Sequence, residues 1–310
     1  MRGIIVCRIF HFPIGLSNMN IGLGWLVGIS SCLGGFLWLG GHLEQLLVPQ
    51  EYLIIFGAAI GTLVASNKWR NLKAMIRAFF RIFLPANSGK ASNLGLLCLL
   101  FELLQRIKRD GALSIEADIS DPKQSELFAK YPSVLKSARL IEFITDYFKM
   151  MMDGTMTKGQ LESVMAQEIE VMNQEAIEPS ESIATMADGM PAFGIVAAII
   201  GVVHALTLIK TGIGPGEIGE LISQALVGTL IGVFFAYAMM LPISRSMEQL
   251  AAADLKPYEA VKEILIAHYS NFSPMIAVEY GRKVMYTDQR PTMSELSEGV
   301  MATSGKKLTG

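Results

Sequence analysis

The stretch PAFGIVAAIIGVVH, Pro191–His204, decides the fold. It lies inside an uncharged run, Met190–Ile209, long enough to cross a bilayer at about 1.5 Å of rise per residue. An apolar helix opened by Pro191 is predicted. None of its side chains suits covalent chemistry. Gly194, Ala197, Ala198 and Gly201 recur every three or four residues, so they share one face. A small-residue face on a membrane helix permits close packing against another helix.

The whole chain of 310 residues shares this character, being 51% hydrophobic and only 17% charged, with a mean hydropathy of +0.41. Soluble domains carry about 25% charged residues. The net charge of −2 implies no nucleic-acid partner. Cys7, Cys32 and Cys98 have no paired spacing, so neither a metal site nor a disulfide framework is expected. The 18 methionines read as flexible core filling.

Three further stretches approach the length of a span: Ile21–Gly41, about Leu46–Ser66, and Leu221–Ile243, ending near Pro242. Glycines lower helix propensity in the first, yet glycine is common in membrane helices. No Asp or Glu is expected at membrane depth, because Glu51 and Glu220 fall at the outer rims. Residues 1–20 mix basic residues with a short apolar run but lack a clean small-x-small cleavage site. They are expected to be a poorly ordered cytoplasmic extension or a misassigned start rather than a cleaved signal.

Lysine and arginine set the orientation. Lys68, Arg70, Lys73, Arg77, Arg81 and Lys90 crowd one interval that holds no acid. Positive charge marks the inside. Both termini and the interval 67–188 are therefore expected in the cytoplasm of a bacterial inner-membrane protein. The expected organisation is an extension (1–20), two spans (21–66), a helical domain (67–188), two more spans (189–243) and a cytoplasmic tail (244–310).

The cytoplasmic part reads as helical throughout, with no alternating strand pattern. Arg70, Lys73, Arg77 and Arg81 recur at helical spacing among Leu72, Ile76, Phe79, Phe80 and Phe83. Two readings stand for this helix: contact with membrane lipid at the inner surface, or a plain solvated juxtamembrane helix. A leucine-rich helix over Ser92–Arg109 stops at Gly111. Asp121-Pro122 is expected to start another, and Ser133–Asp153 to continue helically to Gly154. Thr157 and Gln160 have capping-box spacing. Residues 244–286 are expected to be helical, broken by Pro257 and Pro274.

The chain has no Gly-rich phosphate loop, HExxH, CxxC or GxSxG. An enzyme is not expected, and no catalytic residue is assigned. His204 has two readings: a proton relay, or a histidine hydrogen-bonded near the outer interface. An ion-driven machine needs a buried carboxylate to bind and release the ion. On this reading another chain must provide it.

At PAFGIVAAIIGVVHAL (Pro191–Leu206), LVGTLIGVFFAY (Leu226–Tyr237), LFAKYP (Leu127–Pro132), IAVEYGRKVMY (Ile276–Tyr286) and RPTMSEL (Arg290–Leu296), the sequence resembles the MotA family. These are A subunits of the bacterial flagellar motor stator. The resemblance covers nearly the whole chain after Ile21 and implies an all-α membrane protein with four spans. It implies a proton channel formed with a MotB-type B subunit, which supplies the missing membrane aspartate. It implies a homo-oligomeric ring, a pentamer, and a rotor switch protein of the FliG type as further partner. No cofactor is implied beyond protons as the coupling ion.

The resemblance also assigns residues. Ala198, Thr229 and Tyr237 match positions facing the ion path. Sodium-driven relatives carry a hydroxyl residue where Ala198 stands; alanine offers a hard cation no oxygen, so protons are the expected ion. Pro191 and Pro242 match the family's coupling prolines, whose alternative reading is a simple helix start or stop. Lys108, with Arg109 adjacent, and Glu116 fall where the family sets charges against the rotor. A TolQ/ExbB-like energy transducer and a non-conducting membrane scaffold are the competing functions. The first has three spans and lacks the LFAKYP and GRKVMY blocks.

Overall fold

The computed structural model describes residues 17–84, 89–209, 212 and 214–303. Residues 1–16 of the expected extension lie outside the described residues, and its last four begin a helix. Thirteen α-helices make up the described chain: α1 (Ser17–Trp38), α2 (Pro49–Ser66), α3 (Trp69–Ile82), α4 (Lys90–Asp110), α5 (Glu116–Ser120), α6 (Glu126–Ala129), α7 (Pro132–Leu135), α8 (Ala138–Met152), α9 (Lys158–Leu208), α10 (Pro215–Phe234), α11 (Leu241–Tyr269), α12 (Pro274–Val284) and α13 (Met293–Thr303). A π-helix, Phe235–Met240, joins α10 to α11. No strand occurs among the described residues. The chain divides into two compact units, Met1–Pro85 with Ile177–Leu250, and Ala86–Ala176 with Ala251–Gly310.

The first unit holds four helices long and apolar enough to cross a membrane. Pro49 opens α2 at a position where its missing N–H costs nothing. The inward face of α2 is Glu51, Ile55 and Ala59, spaced by four. Ile55 and Ala59 pack with Met190 and Ala197 of α9 and with Val227 and Ile231 of α10. Phe56 meets Phe235 edge to face at 4.9 Å. A second cluster joins Ile21 of α1, Met75 and Ile82 of α3, Ile183 of α9, and Ile243 and Met247. Leu26 and Val27 of α1, Leu53 of α2 and Ile199 of α9 are exposed. Such an apolar exterior suits acyl chains as solvent. On α3, Arg70, Lys73, Arg77 and Arg81 are exposed while Asn71, Met75 and Ile82 are buried, which makes the helix amphipathic.

Polar ties hold the ends of these helices. The Oδ1 of Asn67 accepts from Asn71 Nδ2 and Ser182 Oγ, both at 2.6 Å. Ser244 Oγ donates to the carbonyl of Ser180 at 2.7 Å. Asn71 and Ser244 are buried, so these bonds give their donors partners away from water.

Proline behaves differently from the sequence reading. Helix α9 runs 51 residues straight through Pro179 and Pro191, so Pro191 does not open the span. An interior proline costs about 3 kcal/mol. Buried Ala187 and Met190 before it and Ala197 after it anchor the helix on both sides. Pro257 likewise lies inside α11 rather than breaking it; Ala260, Val261 and Ile264 behind it are fully buried. Pro274 does start a helix. Asp121-Pro122 sits in a turn, closed by Gln124 N–H to Asp121 at 3.2 Å. Helix α6 begins later because Ser125 Oγ accepts the N–H groups of Leu127 and Phe128. The expected helix over 133–153 divides into α7 and α8 around Ser137.

The second unit has one core. Leu97, Leu100 and Leu104 of α4, Phe143 and Phe148 of α8, and Val261, Ile264 and Leu265 of α11 enclose it. The residues read as a tail thus supply much of its packing. The motif blocks build this unit. In LFAKYP, Lys130 Nζ and Tyr131 Oη donate to the buried Glu102 at 2.9 and 2.7 Å. In GRKVMY, Arg282 binds Glu279 at 2.6 Å and the carbonyl of Pro291 at 2.8 Å. In RPTMSEL, Thr292 and Glu295 form a capping box, with Thr292 N–H donating to Glu295 at 2.7 Å. Thr157 and Gln160 form the expected box at the start of α9.

Candidate functional site

The small-residue face of α9 meets α10. A β-carbon on Gly194 would lie 2.8 Å from the carbonyl oxygen of Gly228 and 3.2 Å from Cα of Thr229. One on Gly201 would lie 2.6 Å from Cβ of Ala225. Only glycine allows backbones this close, and in lipid that contact replaces the hydrophobic drive. The expected close packing is therefore made within the chain.

Ala198 is buried on α9, beside this contact, and Thr229 is half-buried on α10. Tyr237 is 54% exposed, inside the π-helix. Pro242 follows that π-helix at the second residue of α11. A proline cannot donate to the carbonyl four residues back, here Ala238, which lies in the π-wound stretch. Pro191 sits in mid-helix, and its missing N–H leaves Ala187 without that partner. Pro191 is therefore no helix start, whereas Pro242 stands in the first turn of α11, directly after the π-helix. His204 is exposed near the C-terminal end of α9.

Glu51 is not a rim residue. It is 4% exposed, and its Oε2 is buried with no hydrogen-bond partner among the described residues. A β-carbon on Gly228 would collide with that oxygen, and one on Gly201 would lie 3.2 Å from Oε1. Gly201 is eight residues inside Ile209, about 12 Å along the helix. This chain therefore brings a carboxyl of its own against residues well inside two apolar stretches. The signal was present: Glu51 shares the four-residue spacing of Ile55 and Ala59.

In the second unit, Lys108, Arg109 and Glu116 are all exposed. Arg109 pairs with Asp110 at 2.7 Å, which holds that carboxylate below its ordinary range. Arg106 pairs with Asp118 at 2.8 Å. Lys108 has no ion pair among the described residues, and lines a cavity of about 400 Å³ with Met151, Met152 and His268. Burial pushes the His268 imidazole down. Glu102, missed in the sequence, is structural.

Four helices of spanning length, a glycine-tight helix pair and a second helical unit define a class: all-α multi-span membrane proteins. Two family models match, Motility protein A N-terminal over residues 22–111 and the MotA/TolQ/ExbB proton channel family over 137–260. Motility protein A of Salmonella typhimurium is 39% identical over 284 residues, 92% of this chain and 96% of that one. Chemotaxis protein LafT of Vibrio parahaemolyticus is 33% identical, covering 91% and 99%. The chain belongs to the motility protein A family, a branch of the MotA/TolQ/ExbB proton channels. The fold is that of C. jejuni MotAB (TM-score 0.69, 19% identity, 90% of this chain and 99% of that one). It is also that of the flagellar MotAB stator complex from Bacillus subtilis (TM-score 0.63, 22% identity, 83% and 92%).

Proposed function

We propose that this chain is the A subunit of a proton-driven flagellar stator. A B subunit supplies a membrane aspartate, and proton flow past it is converted into torque. The observation that carries this reading is the glycine contact between α9 and α10, which holds Ala198 and Thr229 on adjoining helices. Thr229 offers the partner's aspartate a hydroxyl. Ala198 offers a sodium ion no oxygen, so protons are the coupling ion.

Pro191 and Pro242 each remove one backbone hydrogen bond from a helix that continues beyond the membrane part. They suit small changes of helix direction as the aspartate gains and loses its proton. Lys108 and Glu116 orient the contact with a rotor switch protein; exposed charges of this kind steer more than they bind. Several copies of the chain, a pentamer, ring the B subunit in the inner membrane. Both termini are cytoplasmic, and α3 rests its cationic face on inner-leaflet lipid.

The test is motility in a strain whose own stators are deleted. With this chain and its B subunit, swimming should persist without sodium and stop with a protonophore. Swimming that tracks external sodium at constant proton motive force overturns the ion assignment.

A further inference from the structure

Glu51 stands apart from every other carboxyl in the first unit. It is 4% exposed, and it makes no ion pair among the described residues. The room it fills is left by two glycines on two different helices, Gly201 of α9 and Gly228 of α10. A side chain at Gly228 would take the place of its Oε2. Both helices lie in the segment pair that holds Ala198 and Thr229. By the charge asymmetry of the loops, the start of α2 is the outer side of the membrane, where protons enter.

Other ionisable groups on the packed elements are placed away from it. Along α9 the next is His204, one turn beyond Gly201 and exposed. Along α10 it is Glu220, two turns before Gly228 and exposed. Glu44 lies on the turn before α2 and is exposed. A carboxyl set among apolar residues without a cation is costly as a lone charge. The companion that such a group admits is a proton, which needs no more space than the site has.

We propose that Glu51 is a proton-binding site of this chain's own, loaded from the outer side before the proton reaches the partner's aspartate. The inference rests on the reading of the chain as a proton-conducting stator subunit. The step is balanced by itself: an O–H bond forms at the Glu51 carboxylate as a hydronium gives up its proton. The same bond breaks when the proton passes inward through water or a hydroxyl.

The test uses the complex with the B subunit, reconstituted in vesicles under an imposed proton gradient. Glu51→Gln keeps shape and polarity but cannot release a proton. It should lower proton uptake by about tenfold or more, with normal abundance and B-subunit co-purification. Glu51→Asp, which can still titrate, should keep about a third or more of the uptake. In infrared difference spectra, the protonated-carboxyl band that appears under the gradient should shift in Glu51→Asp. Wild-type uptake in Glu51→Gln overturns the proposal and leaves the stator reading standing. No uptake by the wild-type complex overturns the stator reading, and this one with it. If Glu51→Gln fails to accumulate, the infrared band decides: a band unchanged in Glu51→Asp overturns the proposal. If neither variant accumulates, Glu51 is a packing residue and the proposal falls.

Discussion

Gly194 and Gly232 meet backbone to backbone. A β-carbon on Gly232 would lie 3.1 Å from Cα of Gly194 and 2.7 Å from the carbonyl oxygen of Met190. Backbone cannot swing aside as a long side chain can. Gly232→Ala should therefore destabilise the α9–α10 pair by about 1–3 kcal/mol, the usual range for overpacking. Melting in detergent should fall accordingly, with lower membrane abundance. Gly216→Ala on α10 is the control, since a β-carbon there meets nothing within 4 Å. Equal melting of the two variants would remove the glycine contact from the account.

Lys108 and Arg106 separate by their partners. Arg106 is held by Asp118 at 2.8 Å, whereas Lys108 is exposed with no ion pair among the described residues. Reversing Lys108 and Glu116 together should stop torque while proton uptake and membrane assembly survive. Reversing Arg106 alone should instead lower the stability of the second unit, by about 1 kcal/mol for so exposed a pair. Normal rotation in the double reversal, recorded from tethered cells, would take both residues out of the rotor contact.

Pro191→Ala restores an N–H in the middle of α9 and gains helix propensity. Abundance and B-subunit binding should stay near normal, and swimming should be lost or strongly reduced. Because the helix continues on both sides of Pro191, its role as a helix start no longer competes. Near wild-type swimming speed at equal abundance would make the proline a bystander.

The four spans were legible because apolar runs of this length, with at most one charge, have few other fates in water or lipid. The face of Gly194, Ala197 and Gly201 was legible from spacing, and the structure supplies the partner as α10. Two things were not legible. Helices from Leu241 onward read as a tail because their buried residues face partners far away in sequence, on α4 and α8. Glu51 read as a rim residue because it stands near the start of its stretch; its spacing with Ile55 and Ala59 placed it on the inward face, but the room for it is made by Gly201 and Gly228, which no local pattern reports. Interior prolines were misread for the same reason: packing on both sides outweighs the one hydrogen bond lost. Ala198, Thr229, Lys108 and Glu116 came from family resemblance; periodicity alone does not distinguish them from neighbouring residues.

Glu279 gives the second unit an acid dependence. Its hydrogen bonds to Arg282 hold the carboxylate below its ordinary range. A carboxylate depressed in the folded state contributes stability that is present above its ordinary, unfolded pKa. That stability is lost as pH falls through the lower folded value. Melting temperature should drop as pH falls below that of an ordinary glutamate. Glu279→Gln should start lower at neutral pH and fall less steeply. Parallel pH curves for the two proteins would contradict the pairing.

Proton uptake by vesicles decides whether this chain conducts protons with its B subunit. The complex of this chain with its B subunit is placed in sodium-free vesicles and a proton gradient is imposed. Uptake is predicted only when both chains are present, and it should be unchanged by added sodium. Uptake that is absent with both chains, or as fast with either chain alone, would contradict the account and leave a membrane scaffold in its place.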